Sequence, residues 1–176
     1  SAWMIEDKSF NQNIMCVEFH TKANALNSLA MEILYEAVEL TDKHNSDGLV
    51  VYNEAMNFSA GADLNTLIGL ADDENWQGID LYLSSFQNAC SLMKYAPFPT
   101  ISAISGLAIG GGFEVACQSD RMVAHMNSTV GLVETGVGLV PGGGGCKELL
   151  WRWVQDAKFQ DNHDNAAIEV FNIIGY

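Results

Sequence analysis

Two glutamates, Glu114 and Glu134, have the sequence setting that is most suggestive of chemistry. Glu114 closes the stretch 106–114, which has glycine at 110–112, and Glu134 lies in the glycine-containing stretch 131–138. Glycine lets backbone N–H groups approach a ligand closely, and paired carboxylates can accept and donate protons. The combination predicts an acid/base enzyme that acts on a carbonyl compound.

Both glutamates have apolar neighbours. Phe113 and Val115 flank Glu114, and Val133 precedes Glu134. A carboxylate in apolar surroundings is costly unless it is paired or functional. The alternative for Glu114 is a carboxylate that only interacts favourably with the dipole at a helix N-terminus. Either glutamate alone fits a structural role, whereas the two together with the glycine turns favour catalysis.

Two glycine turns offer backbone donors for a substrate oxygen. One is the stretch 58–64, in which Ala62 follows Gly61, and the other contains Gly111. Each is expected to lead from a strand into a helix, where the first N–H groups have no partner within the helix. Two convergent amides would form an oxyanion hole, in which each donor typically contributes about 3 kcal/mol in the transition state. The alternative is a pair of tight turns that bind nothing.

Nucleotide-binding motifs do not fit these glycines. The stretch 136–141 begins Gly-x-Gly but ends on Pro141, where the dinucleotide fingerprint needs glycine. Lys147 is followed by Glu148, whereas a P-loop needs Ser or Thr after its lysine. The sequence therefore predicts no NAD fingerprint and no P-loop in this chain.

Composition limits the class of protein. The 176 residues suffice for one domain with a core, and 48 % of them are hydrophobic, as in a globular chain. A net charge of −14, with eight Lys and Arg, argues against a nucleic-acid surface. Eleven of the sixteen glycines cluster at 106–112, 131–138 and 142–145, which indicates local backbone roles.

The cysteines, histidines and apolar runs indicate the compartment. The four cysteines form no C-x-x-C pair, so free thiols in a reducing cytosol are expected. The four histidines are scattered, and no metal site is expected. No apolar run is long enough to span a bilayer, and no secretory signal opens the chain. These features predict a cytoplasmic protein.

Strands and helices are predicted to alternate along the chain, which favours an α/β architecture with a largely parallel sheet. Asn27 should cap the first helix, and Asp63 and Gly111 should begin two short helices. One domain over 1–176 is expected, with the polar stretch 155–165 as the candidate boundary. The predicted strands are 14–19, 48–52, 100–104 and 121–125, and the predicted longer helices are 29–44, 79–95, 148–154 and 166–174. The expected inward residues are Leu29, Ile33, Ala37 and Leu40 on the first helix, and Leu83, Phe86, Cys90 and Met93 on the second.

The glycine turns and glutamates together resemble a known family. The stretches 58–64, 106–114 and 131–141 are similar in order and spacing to the crotonase (enoyl-CoA hydratase/isomerase) superfamily. The likeness runs from about Ile14 to Trp153, and both glutamates of the hydratases have matching positions here.

A closer resemblance is to the hydratase module of bifunctional 3-hydroxyacyl-CoA dehydrogenases of fatty-acid β-oxidation, carried by the stretches 18–24, 95–97 and 131–142. It implies a ClpP/crotonase ββα spiral that is C-terminally truncated, because a module of this family continues beyond residue 176. It also implies a fragment of a longer chain, with an NAD-binding dehydrogenase module fused or associated. Free-standing members form trimers, so a homo-oligomer is a further expectation.

The resemblance also implies the site roles. The N–H groups of Ala62 and Gly111 would bind a thioester oxygen, and Glu114 would take a proton from water as it adds to C3 of a 2-enoyl-CoA. Glu134 would deliver a proton to C2. No cofactor is expected, because coenzyme A enters as part of the substrate. The implied substrate-binding residues are Lys22, Ala23, Ala25, Ala60, Gly61, Asp63, Leu64, Gly110 and Pro141.

Two alternatives to a hydratase remain open from the sequence. The first is a Δ3-Δ2-enoyl-CoA isomerase, which usually needs one carboxylate, so that two glutamates favour the hydratase. The second is a non-catalytic module that binds acyl-CoA. The family often has a basic residue after the Gly-x-Asp turn, where this chain has Asn65, so the residues that contact the CoA phosphates are not fixed by the resemblance.

Overall fold

The computed structural model describes residues 1–9, 11–156, 158 and 162–175. Within these residues, strands and helices alternate in an α/β arrangement. The strands are β1 (Ala2–Asp7), β2 (Gln12–Val17), β3 (Gly48–Tyr52), β4 (Thr100–Ile104), β5 (Leu107–Ile109), β6 (Arg121–Ala124) and β7 (Thr129–Gly131). The helices are α1 (Ser28–Lys43), α2 (Leu64–Asp72), α3 (Trp76–Lys94), α4 (Gly111–Gln118), α5 (Gly145–Val154) and α6 (His163–Gly175).

The sheet topology confirms the predicted parallel architecture. Five strands form a sheet in the order β1-β2-β3-β4-β6. The β1–β2 pair is antiparallel, and the three following pairs are parallel. A second sheet pairs β5 with β7 in parallel. Because β5 leads directly into α4, this small sheet fixes where that helix begins.

The first long helix forms where it was predicted but buries a different face. The Asn27 side chain accepts a hydrogen bond from the N–H of Ala30 at 2.9 Å, as expected of an N-cap. Leu29 and Leu40 are 65 % and 38 % exposed, so their predicted burial is wrong. Ala37 is fully buried and Ile33 is half-buried against the core, as predicted, so the buried face is rotated from the predicted one and shares one edge with it. The buried residues of α1 are Ala30, Met31, Leu34, Ala37, Val38 and Thr41.

The inward face of α3 is largely as predicted. Phe86, Cys90 and Met93 are buried, and Leu83 is half-buried. Tyr82 is buried as well, and its hydroxyl donates to the carbonyl of Leu26 at 2.6 Å. This face of α3 packs against both α1 and α4, so it lies behind the glycine turns.

Element boundaries differ from the predictions at several places along the chain. Strands β3 and β4 have the predicted limits, whereas β1, β5 and β7 were not predicted. Part of the predicted linker 155–165 lies outside the described residues, and its last three positions belong to α6. Among the described residues, no helix is long and apolar enough to cross a membrane.

Candidate active site

The two glycine turns lie side by side. The N–H of Ser59 donates to Leu107 at 2.9 Å, and the N–H of Ile109 donates back to Ser59 at 3.1 Å, which links the first turn to β5. A Cβ added to Gly111 would lie 3.1 Å from the backbone nitrogen of Ala62. The backbone donors predicted from the sequence are therefore close neighbours in the fold.

The N–H groups of Ala62 and Gly111 donate to no described residue. Two hydrogen bonds form the bridge between Leu26 and Ala62: the N–H of Leu26 donates to the carbonyl of Gly61 at 2.7 Å, and the N–H of Asp63 donates to the carbonyl of Leu26 at 3.0 Å. Neither bond uses the N–H of Ala62. Gly111 is the first residue of α4, where an intrahelical acceptor does not exist. Both amides are thus available to an oxygen of a ligand.

Left-handed backbone explains why glycine stands next to each donor. Gly61 has φ +96° and Gly110 has φ +53°, a region that other residues rarely adopt. The buried hydroxyl of Ser59 supports this turn, accepting from the N–H of Gly61 at 3.1 Å and donating to Asn24 at 2.8 Å. This supporting role of Ser59 was not predicted.

Glu114 is buried, with 3 % of its surface exposed. Its Oε1 accepts the N–H of Gly143 at 2.8 Å and that of Gly145 at 2.9 Å, at the start of α5. A Cβ on Gly143 would lie 2.8 Å from Oε2 of Glu114, and one on Gly145 would lie 2.8 Å from its Cγ. The glycine cluster at 142–145 therefore encloses this carboxylate, a role that the sequence did not assign.

Glu134 lies beside Gly110, in the turn that leads into α4. It begins a short 3-10 helix (Glu134–Val137), and a Cβ on Gly110 would lie 3.2 Å from its Oε1. Its Oε2 is buried and accepts no hydrogen bond from a described residue. A buried oxygen without a donor is uncommon and requires an explanation.

The electrostatics place the two carboxylates in one region. Burial raises the pKa of Glu114 above its ordinary value, the bond from Gly145 lowers it, and the charge of Glu134 raises it again. Burial also raises the pKa of Glu134. The pKa of the half-buried thiol of Cys146 is raised by burial and then by both glutamates. Carboxyl groups with raised pKa values are suited to exchange protons near neutral pH.

Several of the predicted substrate-binding residues lie on or next to the first glycine turn. The segment 22–25 runs along the first turn, with the N–H of Ala60 donating to Ala23 at 3.1 Å. Asp63 caps α2, as predicted, by accepting from the N–H of Asn65 at 3.2 Å. Lys22, Ala23, Ala60 and Leu64 are exposed, Ala25 and Asp63 are half-buried, and Gly61 and Gly110 are buried.

Pro141 lies half-buried on the segment that joins Glu134 to Gly143. A surface cavity lies between α1 and the end of α3 and is lined in part by Asp42, Leu92 and Tyr95. Glu114 and Glu134 do not line it. No group of three or more His, Cys, Asp and Glu side chains placed to hold a metal occurs among residues 1–9, 11–156, 158 and 162–175.

Comparison with known proteins identifies the family. The model of the enoyl-CoA hydratase/isomerase family matches residues 9–161. A probable 3-hydroxyacyl-CoA dehydrogenase of Bacillus subtilis is 34 % identical over 92 % of this chain and 20 % of its own length. A putative fatty acid oxidation complex trifunctional enzyme of Rickettsia felis is 37 % identical over 82 % of this chain and 20 % of its own length. The chain thus spans about a fifth of each of these curated relatives.

Solved structures have the same fold. The DspI protein of Pseudomonas aeruginosa superposes with a TM-score of 0.74 at 27 % identity, over 92 % of this chain and 56 % of its own. An enoyl-CoA hydratase of Polaromonas gives a TM-score of 0.78 at 22 % identity, over 98 % of this chain and 67 % of its own. The second likeness, at its low identity, concerns the fold alone. Together they confirm the predicted α/β fold of the crotonase type.

Proposed function

We propose that this chain, which belongs to the enoyl-CoA hydratase/isomerase family, carries the site that adds water to a 2-enoyl-CoA and forms a 3-hydroxyacyl-CoA. The main support is that two backbone donors without acceptors among the described residues, on Ala62 and Gly111, lie beside the buried carboxyl group of Glu114 and the half-buried one of Glu134, whose Oε2 is itself inaccessible. These groups come from three separate segments of the chain, 58–64, 106–114 and 131–138, and a common purpose explains their convergence.

The backbone donors act on the thioester. Addition at C3 moves negative charge onto the thioester oxygen, so donors aimed at that oxygen stabilise the transition state more than the substrate. Because Ala62 and Gly111 are held by β5, α4 and the bridge to Leu26, little reorganisation is needed when the charge develops. Two such donors contribute about 3 kcal/mol each.

Glu114 acts as the base toward water. Gly143 and Gly145 both bind Oε1, so we assign Oε2 to the water molecule. As the water oxygen bonds to C3, its proton passes to Glu114 and the electrons of the double bond pass toward the thioester oxygen. The raised pKa of Glu114 makes it a stronger base than an ordinary carboxylate.

Glu134 acts as the acid toward C2. Its buried Oε2 has no donor among the described residues, and burial raises its pKa, which favours a carboxyl that holds a proton. Transfer of that proton to C2 completes the 3-hydroxyacyl thioester. The proton gained by Glu114 replaces the one lost by Glu134, so the pair is reset without a cofactor.

Coenzyme A contacts are assigned to the surface beside these groups. The segment 22–25 and the turn residues Ala60 and Leu64 would follow the pantetheine and the adenine, with Lys22 as the first candidate for a phosphate. The B. subtilis and R. felis relatives are named a dehydrogenase and a trifunctional enzyme. We extend this to a dehydrogenase module, fused or associated, that consumes the 3-hydroxyacyl product.

The experiment that tests this function is Glu134→Gln, which removes the transferable proton and keeps the side chain's shape. We expect hydration of a 2-enoyl-CoA, followed by loss of enoyl-thioester absorbance, to fall by about 10²–10⁴-fold. Calorimetric affinity for the acyl-CoA should change little. Glu32→Gln, at an exposed position of α1, is the matched control. Turnover of Glu134→Gln close to that of the control would refute the assignment.

The second candidate is isomerisation of a 3-enoyl-CoA, which the family also includes. Removing a proton at C2 and returning one at C4 needs a single carboxyl group. A 3-enoyl-CoA substrate separates the candidates, because an isomerase converts it at full rate when one of the two glutamates is replaced by glutamine.

A further inference from the structure

Two lysines form ion pairs with the buried Glu148, next to the glycine turn 142–145 that binds the Glu114 carboxylate. Glu148 is 2 % exposed and lies in the first turn of α5. Its Oε1 accepts the ammonium group of Lys94, from the last turn of α3, and that of Lys147 at 2.9 Å. The backbone N–H of Glu148 donates to Gly144 at 3.0 Å. One residue thus joins α3, α5 and the turn.

The two lysines differ in what they connect. Lys94 comes from α3, and its side chain is 21 % exposed, so its pair with Glu148 ties two helices together. Lys147 is the neighbour of Glu148 on α5, and its side chain is 66 % exposed, so its pair cannot join α5 to another element. Exposed pairs of this kind contribute little to stability, whereas breaking a buried one is costly.

We propose that Glu148 is a positioning residue, which through its bridge to Lys94 holds the N-terminus of α5 against the Glu114 carboxylate. The inference rests on the proposed function, since it assigns Glu148 a task at the same site. The N–H groups of Gly143 and Gly145 reach Glu114 only while the first turn of α5 stays in place. Lys94 fixes that turn from outside the helix, at the end of α3.

The charge state of Glu148 and the packing of α3 also support a positioning role. Burial by itself would raise the pKa of Glu148, but the bonds from Lys94 and Lys147 lower it below the ordinary value. The Glu148 carboxylate is therefore charged at neutral pH. The ring of Phe86, also on α3, packs against Gly143 so closely that a Cβ added to Gly143 would lie 2.4 Å from it. Helix α3 thus supports the turn at two points.

The pKa of Glu114 reports whether the turn is in place, because N–H bonds to the ionised form lower it. Charged and titratable groups on the neighbouring elements can also change the pKa of Glu114. The variants must therefore be compared by the direction of the pKa change as well as by its size. These groups are Cys90 and Lys94 on α3, Cys117 on α4, Cys146, Lys147, Glu148 and Arg152 on α5, and Glu134 beyond β7.

Positioning and direct electrostatics predict different patterns. Lys94→Met and Lys147→Met each remove one positive charge, so direct electrostatics would raise the pKa of Glu114 in both, and Glu148→Gln would lower it. Positioning requires that Lys94→Met and Glu148→Gln both raise the pKa, by about one pH unit for roughly one lost hydrogen bond to a charge. Lys147→Met should leave it unchanged, and Lys94→Arg should restore it.

The experiment follows the backbone amide resonances of Gly143 and Gly145 during a pH titration of the whole chain. The expected midpoint rises in Lys94→Met and Glu148→Gln and stays at the wild-type value in Lys147→Met. Equal shifts in the two lysine variants, opposite shifts in Lys94→Met and Glu148→Gln, or no shift in any of them would overturn the proposal. If Glu148→Gln does not fold, the two lysine variants decide alone.

The titration needs no turnover, so it stands even if the chain hydrates nothing. Where hydration is measured, the acidic limb of kcat should move by the same amount in Lys94→Met, because Glu114 must be ionised to act as a base. A purely structural bridge would lower the free energy of unfolding and leave that limb in place.

Discussion

Replacement of Gly145 by alanine tests how closely the turn is built around Glu114. The new Cβ would lie 2.8 Å from Cγ of Glu114, 2.8 Å from Cδ2 of Leu132 and 3.0 Å from Oε1 of Glu114. Contacts shorter than 3 Å force the surroundings to move. The N-terminus of α5 must therefore withdraw, and the hydrogen bond from this residue to the carboxylate lengthens or breaks.

The magnitude follows from two opposing contributions. Alanine favours a helix over glycine by about 1 kcal/mol, whereas an extra methyl group in a closely packed site costs about 1–3 kcal/mol. A hydrogen bond to a charged group contributes about 1.5–3 kcal/mol, so its loss raises the pKa of Glu114 by about 1–2 units. We expect a less stable variant in which hydration fails at mildly acidic pH.

The assay combines urea unfolding with the pH dependence of hydration. Gly69→Ala is the matched control, because Gly69 lies inside α2 and its Cβ would meet nothing within 4 Å. This control should gain about 0.5–1 kcal/mol in free energy of unfolding. If Gly145→Ala is stabilised like Gly69→Ala and keeps the wild-type acidic limb, the close fit around Glu114 is refuted.

Two further predictions concern the donors and the buried acids. Gly111→Pro removes the N–H at a helix position that tolerates proline. Gly111→Ala keeps the N–H and is the control for the added Cβ, which in both variants would lie 3.1 Å from the Ala62 nitrogen. Hydration should be about 10²–10³-fold lower in Gly111→Pro than in Gly111→Ala; equal losses in the two variants would dismiss the donor. Because burial raises the pKa values of Glu114 and Glu134, the folded state binds more protons than the unfolded chain between the ordinary and the raised values, and their contribution to stability falls as pH rises through that window. Glu114→Gln/Glu134→Gln should therefore gain stability relative to wild type as pH rises above the ordinary pKa of a glutamate; a stability difference independent of pH, by urea midpoints, would contradict this.

The elements predicted best are those whose signal is local. The strands at 48–52 and 100–104 are short apolar runs ended by polar residues or proline, and their limits follow from the chain alone. The buried face of α1 was predicted only in part, at Ala37 and Ile33, because the helix carries two adjacent apolar stripes. Which stripe is buried depends on the contacts of α1 with α3 and β2, which no local pattern contains.

The site was predictable as two pairs of groups, and its supporting contacts were not. Glycine before a helix marks a backbone donor, and a glutamate among apolar residues marks a costly carboxylate. The bonds from Gly143 and Gly145 to Glu114 join positions 29 and 31 residues apart, and the bridge from Lys94 to Glu148 joins positions 54 apart. A run of glycines near 142–145 was the available signal, but it did not name the carboxylate that fills the space.

Glu114 and Glu148 show that the partners of a buried acid decide whether it is reactive or structural. Both are nearly inaccessible to solvent and lie near the start of α5. Glu148 accepts two ammonium groups, which lower its pKa and keep it charged. Burial and then the charge of Glu134 raise the pKa of Glu114, although the two neutral N–H groups that it accepts lower it. Two cations hold Glu148 in its charged form, whereas no cation of the described residues is bonded to Glu114. The fold therefore leaves Glu114 free to exchange protons, while Glu148 holds the helix in place.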